Sequence, residues 1–542
     1  MRRIFLFLIF LNIFFLSPIS YPLASHKIFA AGFSVDYSSE YVFSSTGEAQ
    51  VTNQITLTNQ QSGSYASQYV FQVKDLNLEN LEAKSSAKIL PITTEEKDNI
   101  KTVKISLDNN KTTGLDQKYS FSLSYKTSDL AKKQGPIWNI NISNLPKDQS
   151  SGQIKIVVPL DFGQPQITSP IPQKLEQKDK QWLISYTFNN SQAVVSPRLA
   201  FGDFGLFSFE LTYHLFNSNW QSEIQTIAIP PNILGYQEIS INSLNPLPQK
   251  IETDPDGNIL ASYKLDYNEK KIIKLLGLAR ILPNTSLKSS QNQVNPEPYL
   301  LPAKYWETTS DTIINLLSGL SSNSDWPNLT NLQKAKKLYD FVTKNLSYDQ
   351  QKANPRIERF GAVKAWENKD TALCMEYTDL LITLLRAADI PARELDGYAA
   401  GGVSPGSTNP SDILHTWVQI FDKDRSWFMV DPTWESTTGQ DYFNSWDFNH
   451  LAFVVKGLDS EKPLPAGLYK ITGAEKGDVK VEFATELNDK AVPLTKWISS
   501  YQEEEKQQQN SENLFGISAI FLILAVISGL AIFTVSRKKS HA

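Results

Sequence analysis

The sequence predicts a multidomain chain in which N-terminal all-β sandwich-like domains lead into an α+β domain and then a single C-terminal transmembrane helix. Three observations carry that prediction. Short runs alternate polar and apolar residues from Phe33 to about Leu282, apolar residues recur at helical spacing after Trp306, and a charge-free apolar run occupies Phe515 to Val535. At roughly 150 residues per domain, a chain of 542 residues holds about three or four domains.

Residues 1–31 combine Arg2 and Arg3 with the apolar run from Ile4 to Leu16 and small residues at Ala24, Ser25, Ala30 and Ala31. They read as a secretory signal peptide, with an uncleaved N-terminal anchor as the alternative. Residues 32–215 form a β-sandwich region of one or two domains, seen in the alternation of Ala49 to Leu57, Tyr119 to Tyr125, Gln153 to Val158, Trp182 to Phe188 and Leu206 to Tyr213. A soft boundary falls near Phe216. Residues 216–282 are a further β-rich segment, with a hairpin predicted where Asp254-Pro255-Asp256-Gly257-Asn258 separates Lys250-Ile251-Glu252 from Ile259 to Leu265. Residues 283–302, rich in Ser, Asn, Gln and Pro, read as a linker.

Residues 303–451 form the α+β domain. Ile313, Leu316, Leu317 and Leu320 share one helical face, and Leu332, Ala335, Leu338, Tyr339 and Val342 share the next. The second helix opens on Thr330-Asn331-Leu332-Gln333, a capping-box pattern. A third begins at about Leu373, buries Tyr377, Leu380, Leu381, Leu384 and Leu385, and is stopped by Asp389-Ile390-Pro391. Strands at Thr416 to Ile420 and Trp427 to Val430 follow, joined by the polar turn Asp422 to Ser426. Residues 452–500 are read as a short β-rich closing segment and 501–514 as a polar stalk. The run 515–535 is long enough as a helix to cross a hydrocarbon core of about 30 Å. Arg537, Lys538 and Lys539 then put the tail 536–542 in the cytoplasm and the bulk of the chain outside the cell or in the periplasm.

Composition narrows the function. A net charge of -5 with 20% charged residues provides no basic surface for nucleic acid. A single span cannot by itself form a transport pathway. One cysteine in an exported chain forms no internal disulfide, so its thiol needs another explanation.

That cysteine, Cys374, lies in the first turn of the third helix, where the positive end of the backbone dipoles favours a thiolate. Of five histidines, His26, His214 and His541 lie far away in sequence, leaving His415 and His450. His415 starts a strand and shares a face with Trp417 and Gln419, while Asp431 ends the partner strand. Nucleophile, base and orienting carboxylate are the three parts a thiol enzyme requires. His450 is expected to be a satisfied structural histidine, and Arg386 and Arg393 to be structural. Trp417 and Trp434 are candidates for a substrate groove, with core packing as the alternative. The Cys374 N–H is one expected oxyanion donor, and Trp366 and Asn368 are candidates for the second. No cofactor or metal site is expected, because histidines are scarce and Asp422-Lys423-Asp424 reads as a solvated turn.

These residues resemble the transglutaminase-like superfamily. The resemblance is carried by Cys374 at a helix start, Leu384-Leu385-Arg386-Ala387-Ala388-Asp389-Ile390-Pro391-Ala392-Arg393, Gly397-Tyr398, His415-Thr416-Trp417-Val418 and Asp431-Pro432-Thr433-Trp434. It implies a papain-like catalytic domain with Cys374 as nucleophile, His415 as general base and acid, and Asp431 as orienting carboxylate. The family pattern has Gly where this chain has Ala372 and Asp389. The implied chemistry is acyl transfer or hydrolysis at protein or peptide amides outside the cell, through a cysteine thioester. The alternative is a non-catalytic surface adhesion or scaffold protein with a degenerate catalytic-like domain. The oligomeric state is not legible in the sequence.

Overall fold

The structure is a computed structural model that describes residues 32–507, apart from 87, 108–111, 143–149, 189–196, 284–294, 323–324, 350–357, 401–413, 470–477, 488–489 and 504–505. The expected signal segment, transmembrane run and tail lie outside the described residues, as do most of the linker and the end of the stalk. Among the described residues no helix is long and apolar enough to cross a membrane. The chain divides into two compact units.

The first unit is a two-sheet β-sandwich. Phe33–Phe43 buries alternate residues, as a strand with one face on a core must. It pairs antiparallel with Ala49–Asn59 on one side and parallel with Ser150–Pro159 on the other, at the centre of an eight-stranded sheet. A three-stranded sheet of Gln68–Lys74, Ile92–Lys97 and Ile100–Ser106 covers its inner face. Across that core the Tyr37 and Tyr69 hydroxyls hydrogen-bond at 2.8 Å, and the Tyr69 ring sits edge-on to Phe121 with centroids 5.3 Å apart.

The second unit holds another sandwich and the α+β domain. Its larger sheet pairs Gly205–Phe216 with Lys270–Ile281 along the full length of both strands, from Gly205 opposite Ile281 to Phe216 opposite Lys270. The sheet therefore joins residues on both sides of Phe216, where the sequence set a soft boundary, because antiparallel pairing over such a separation has no local signal. Val479–Phe483, assigned to a separate closing segment, is an edge strand of this same sheet. The facing sheet contains Glu223–Ile229, Ile259–Leu265 and Lys250–Thr253, the last two forming the predicted hairpin.

In the α+β domain a four-stranded antiparallel sheet runs Ser426–Val430, Leu414–Asp422, Ala392–Ala399, His450–Lys456. Val418, Ile420, Phe428 and Val430 face the helices Asp311–Ser321, Asn331–Asn345, Ala362–Glu367 and Cys374–Ala387. Leu395, Trp417, Met429 and Phe453 share the core of the sandwich instead. The capping box of the second helix is present, with Gln333 N donating to Thr330 Oγ1 at 3.3 Å and Thr330 N to Gln333 Oε1 at 2.9 Å.

The sandwich and this four-stranded sheet are joined by amide side chains that stand in for a missing strand. His450–Lys456 is an edge strand, and its outer backbone groups need partners. Gln237 donates to Ala452 O at 2.9 Å and accepts from Ala452 N at 2.8 Å. Asn258 does the same for Val455, donating and accepting at 2.7 Å. Asp256, in the turn of the predicted hairpin, accepts from Gly457 N at 2.9 Å and Leu458 N at 3.0 Å.

Candidate active site

Cys374 is the first residue of the helix Cys374–Ala387 and is partly exposed. Its position is set from both sides. Upstream, the buried Ala372 N–H donates to Ser347 O and its carbonyl accepts from Asp349 N, both at 2.9 Å, so the approach to the helix is clamped as a short bridge. Downstream, Glu376 reaches back to accept from Leu373 N at 2.8 Å, which satisfies a free donor at the helix start. Tyr377 and Thr378 fix the helix to its surroundings, through Leu346 O at 2.8 Å and the Thr416 hydroxyl at 3.1 Å.

The far end of this helix explains one departure from the family pattern. Asp389 has φ 60°, in the left-handed region that glycine enters freely. Ile390 N donates to Leu385 O at 2.9 Å and Asp389 N to Arg386 O at 3.1 Å, the two bonds of a Schellman motif. The Arg386 side chain is buried and donates to Ala392 O and Gly457 O, each at 2.7 Å, so it is a structural clamp, as expected from the sequence.

His415 lies on the strand Leu414–Asp422 opposite Gly397. Gly397 is required by a close approach, since a Cβ there would stand 2.0 Å from Leu451 O. The His415 Nε2 to Asp431 Oδ2 distance is 2.7 Å, and the Cys374 side chain lies near enough to the same imidazole to raise its pKa. Asp431 is fully buried at the start of the helix Pro432–Thr438, where its Oδ1 accepts from Trp434 N at 2.9 Å. Burial alone would push the His415 pKa down, but the Asp431 carboxylate, with the Cys374 contact added, raises it to about 10. For Asp431, burial works to raise the carboxyl, and the charge and hydrogen bond of His415 overcome it, holding Asp431 well below the usual carboxylate range.

His450 is a neighbour that sequence reasoning set aside. It is wholly buried, and its Nε2 lies 3.2 Å from the same Asp431 Oδ2, while its Nδ1 lies 2.7 Å from Asp447 Oδ1. Both ring nitrogens thus face carboxylate oxygens, and with both acids ionised only the doubly protonated ring donates to each. Burial pushes the His450 pKa down, and the charges and hydrogen bonds of Asp447 and Asp431 raise it overall. His415, Asp431 and His450 bring ligand atoms within 4.8 Å of one another, a donor set that zinc accepts. Each Nε2 is spent on the same Asp431 oxygen, so the arrangement as it stands is a hydrogen-bonded relay.

Trp417 and Trp434 were candidates for a substrate groove, and their burial corrects that expectation. They are 0% and 8% exposed. Trp434 stacks on His415 with centroids 5.5 Å apart and packs at 4.4 Å against His450, and Trp417 sits 5.0 Å from His450. With Trp446 they form a buried aromatic wall packed against both imidazoles. Of the second oxyanion candidates, Asn368 Nδ2 is turned to Lys364 O of its own helix at 3.0 Å, and Trp366 packs on Phe341 at 5.3 Å.

Beneath the helix of Cys374 lies a buried charge cluster that no motif announced. Arg359 donates to Asp379 Oδ2, Glu394 Oε1 and Ser460 O, each at 3.0 Å, and Lys456 contacts Asp396 and Glu394. Asp379 belongs to the helix, Glu394 and Asp396 to the strand beside His415, and Lys456 to the strand of His450. Burial, together with the neighbouring Glu394 charge and against the pull of Lys456, raises the Asp396 carboxyl. The cluster cross-links the helix of Cys374, the strand that pairs beside His415 and the strand of His450.

Residues 321–432 match the family model described as transglutaminase-like superfamily. A stretch of 69 residues is 33% identical to the protein-glutamine gamma-glutamyltransferase of Pseudomonas aeruginosa, and it makes up 12% of this chain and 10% of that relative. Among solved structures, a protein of Cytophaga hutchinsonii provisionally named a cysteine protease is 15% identical with a TM-score of 0.36, over 54% of this chain and 97% of its own. The periplasmic domain of TgpA from Pseudomonas aeruginosa, bound to ethylmercury, is 14% identical with a TM-score of 0.25, over 43% of this chain and 90% of its own. The domain that carries Cys374, His415 and Asp431 belongs to the transglutaminase-like superfamily.

Proposed function

We propose that this chain is a membrane-anchored extracytoplasmic thiol enzyme that acts on protein or peptide amides through a Cys374 thioester. The observation that carries the reading is the imidazole of His415, which is hydrogen-bonded to a buried carboxylate and lies near enough to the Cys374 side chain to be influenced by it. The anchoring part rests on the Phe515 to Val535 run and the cations after it.

In this cycle the Cys374 thiolate attacks the amide carbonyl carbon, and the carbonyl electron pair moves to oxygen, beside the Cys374 N–H. The tetrahedral adduct collapses as the His415 imidazolium gives its proton to the leaving amine, and the C–N bond breaks to leave a thioester. Water or a primary amine then gives a proton to neutral His415 as it attacks the thioester, and the thiolate departs. Asp431 holds the ring and stabilises its charged form throughout. The name of the Pseudomonas relative favours glutamine side chains as acyl donors and an amine as acceptor.

The test is turnover of glutamine-containing peptides, read as ammonia release and as incorporation of a primary amine, together with alkylation of Cys374 at neutral pH. Wild type is expected to trap an acyl group on Cys374, and Cys374→Ala to lose all turnover with its fold intact. Equal turnover in Cys374→Ala would overturn the nucleophile. A surface scaffold is the second reading, favoured by the two-sheet sandwich of the first unit, a large β region set apart from the triad in sequence. Partner capture that survives His415→Ala in a chain without thiol reactivity would establish it.

A further inference from the structure

The sandwich of the second unit has two unlike ends. At one end, Tyr236, Gln237, Asp256 and Asn258 hold the catalytic sheet. The strand pairings place the opposite end at Phe216, Glu223, Asn245, Leu265 and Lys270. The strand Gly205–Phe216 has 12 residues, which at about 3.3 Å each separates the ends by on the order of 40 Å.

That opposite end is apolar where water would be expected. Trp220 is 84% exposed and stacks on Tyr267, itself 52% exposed, with centroids 4.9 Å apart and planes 7° from parallel. Ile224, Leu247 and Ile272 around the same end are each more than half exposed. The rings are presented by a fixed crest. Buried Asn217 donates to Gln221 O at 2.8 Å and Leu265 O at 3.1 Å, and its backbone bonds Glu269 and Asn268, so one residue ties both turns. Large rings held rigidly in water are typical of a surface that meets a partner.

The course of the chain says which partner. Val492 and Pro493 pair with Ile241 and Ser240 midway along the sandwich, and the helix at 494–503 then runs toward the Trp220 end. Its Tyr501 hydroxyl donates to Pro248 O at 2.6 Å, in the loop that also exposes Leu247. Only residues 502–514 separate that contact from the apolar run that starts at Phe515. Trp and Tyr concentrate at bilayer interfaces because their rings favour the acyl boundary and their polar atoms the head groups. Exposed Lys264, Lys270 and Lys274 stand near the same end, suited to lipid phosphates, with Lys271 paired to Glu269 at 3.1 Å.

We infer that the Trp220–Tyr267 end rests in the outer interface of the bilayer that holds the Phe515 to Val535 segment, so that the sandwich is a pedestal carrying the catalytic sheet at its far end. The inference rests on the membrane-anchored part of the proposed function. The test uses the full chain reconstituted in vesicles of phosphatidylcholine and phosphatidylglycerol, with the phosphatidylcholine brominated near the head-group end of its acyl chains. Bromine quenches tryptophan on contact, and the Phe515 to Val535 run contains no tryptophan. Wild type is compared with Trp220→Phe, a surface-preserving change that leaves catalytic turnover unchanged. A bromine-quenched emission component present in wild type and lost in Trp220→Phe is the expected result. Flotation of the chain with vesicles whose Trp220 emission is unquenched would overturn this inference and leave the anchor standing, turning the ring pair over to a soluble ligand such as a glycan. A chain that fails to float with vesicles would overturn the anchored reading and this inference with it.

Discussion

Asp431 offers one oxygen, Oδ2, to two imidazoles, at 2.7 Å to His415 and 3.2 Å to His450. The His415 pKa is raised to about 10 against an ordinary 6.5, so its proton stabilises the fold fully below 6.5, and that contribution is lost as pH rises from 6.5 through 10. Asp431 is depressed, so its contribution is present above its ordinary 3.8 and is lost as pH falls below that. The thermal stability gap between wild type and His415→Gln is therefore expected to be widest between about pH 4 and 6.5 and to shrink toward pH 10, measured by melting across that range. His450 acts one step further out. A hydrogen bond to a charged group is worth about 1.5–3 kcal/mol, so His450→Gln is expected to lower kcat/KM by about ten- to a hundredfold and to move the pH profile, because a positive neighbour of Asp431 is removed. An unchanged pH profile in a folded His450→Gln chain would make His450 structural only.

The helix of Cys374 is a local unit closed at both ends, by Glu376 on Leu373 N and by the Schellman bonds around Asp389. At φ 60° an L-residue carries strain that glycine does not, and Asp389 is exposed. Asp389→Gly is expected to stabilise the domain by about 0.5–1 kcal/mol, read as a higher denaturation midpoint at unchanged slope, with turnover unaffected. The strand beside it is less tolerant, since Gly397 has backbone of the His450 strand where a side chain would go.

Across the second unit, the sandwich serves the four-stranded sheet of the α+β domain as a substitute edge. Asn258 alone satisfies both the N–H and the carbonyl of Val455, 197 residues away. Asn258→Ala would leave two buried backbone groups unpaired, at about 1–3 kcal/mol each. The expected outcome is a loss of about 2–5 kcal/mol with rapid hydrogen exchange at Val455, whereas exchange confined to the hairpin would mean that the two parts unfold independently.

The sequence by itself determined the elements whose signals are local. The Thr330 capping box, the turn Asp254 to Asn258, the helix starting at Cys374, and the hairpin whose first strand carries His415 and whose second ends just before Asp431 each depend on residues within one turn or one hairpin of each other. The candidate triad was legible because these local elements fall in the family's order and spacing. What only the tertiary structure decided depends on segments that meet from far apart. The pairing across Phe216 joined what alternation alone had divided. His450 proved to share the carboxylate of His415 because its strand comes back alongside the sheet. Trp417 and Trp434 turned from groove candidates into a buried wall because the sandwich covers that face. Arg359 and its acids have no pattern in one dimension, since buried charges are held by the geometry of partners on separate elements, and that geometry exists only once the chain is folded.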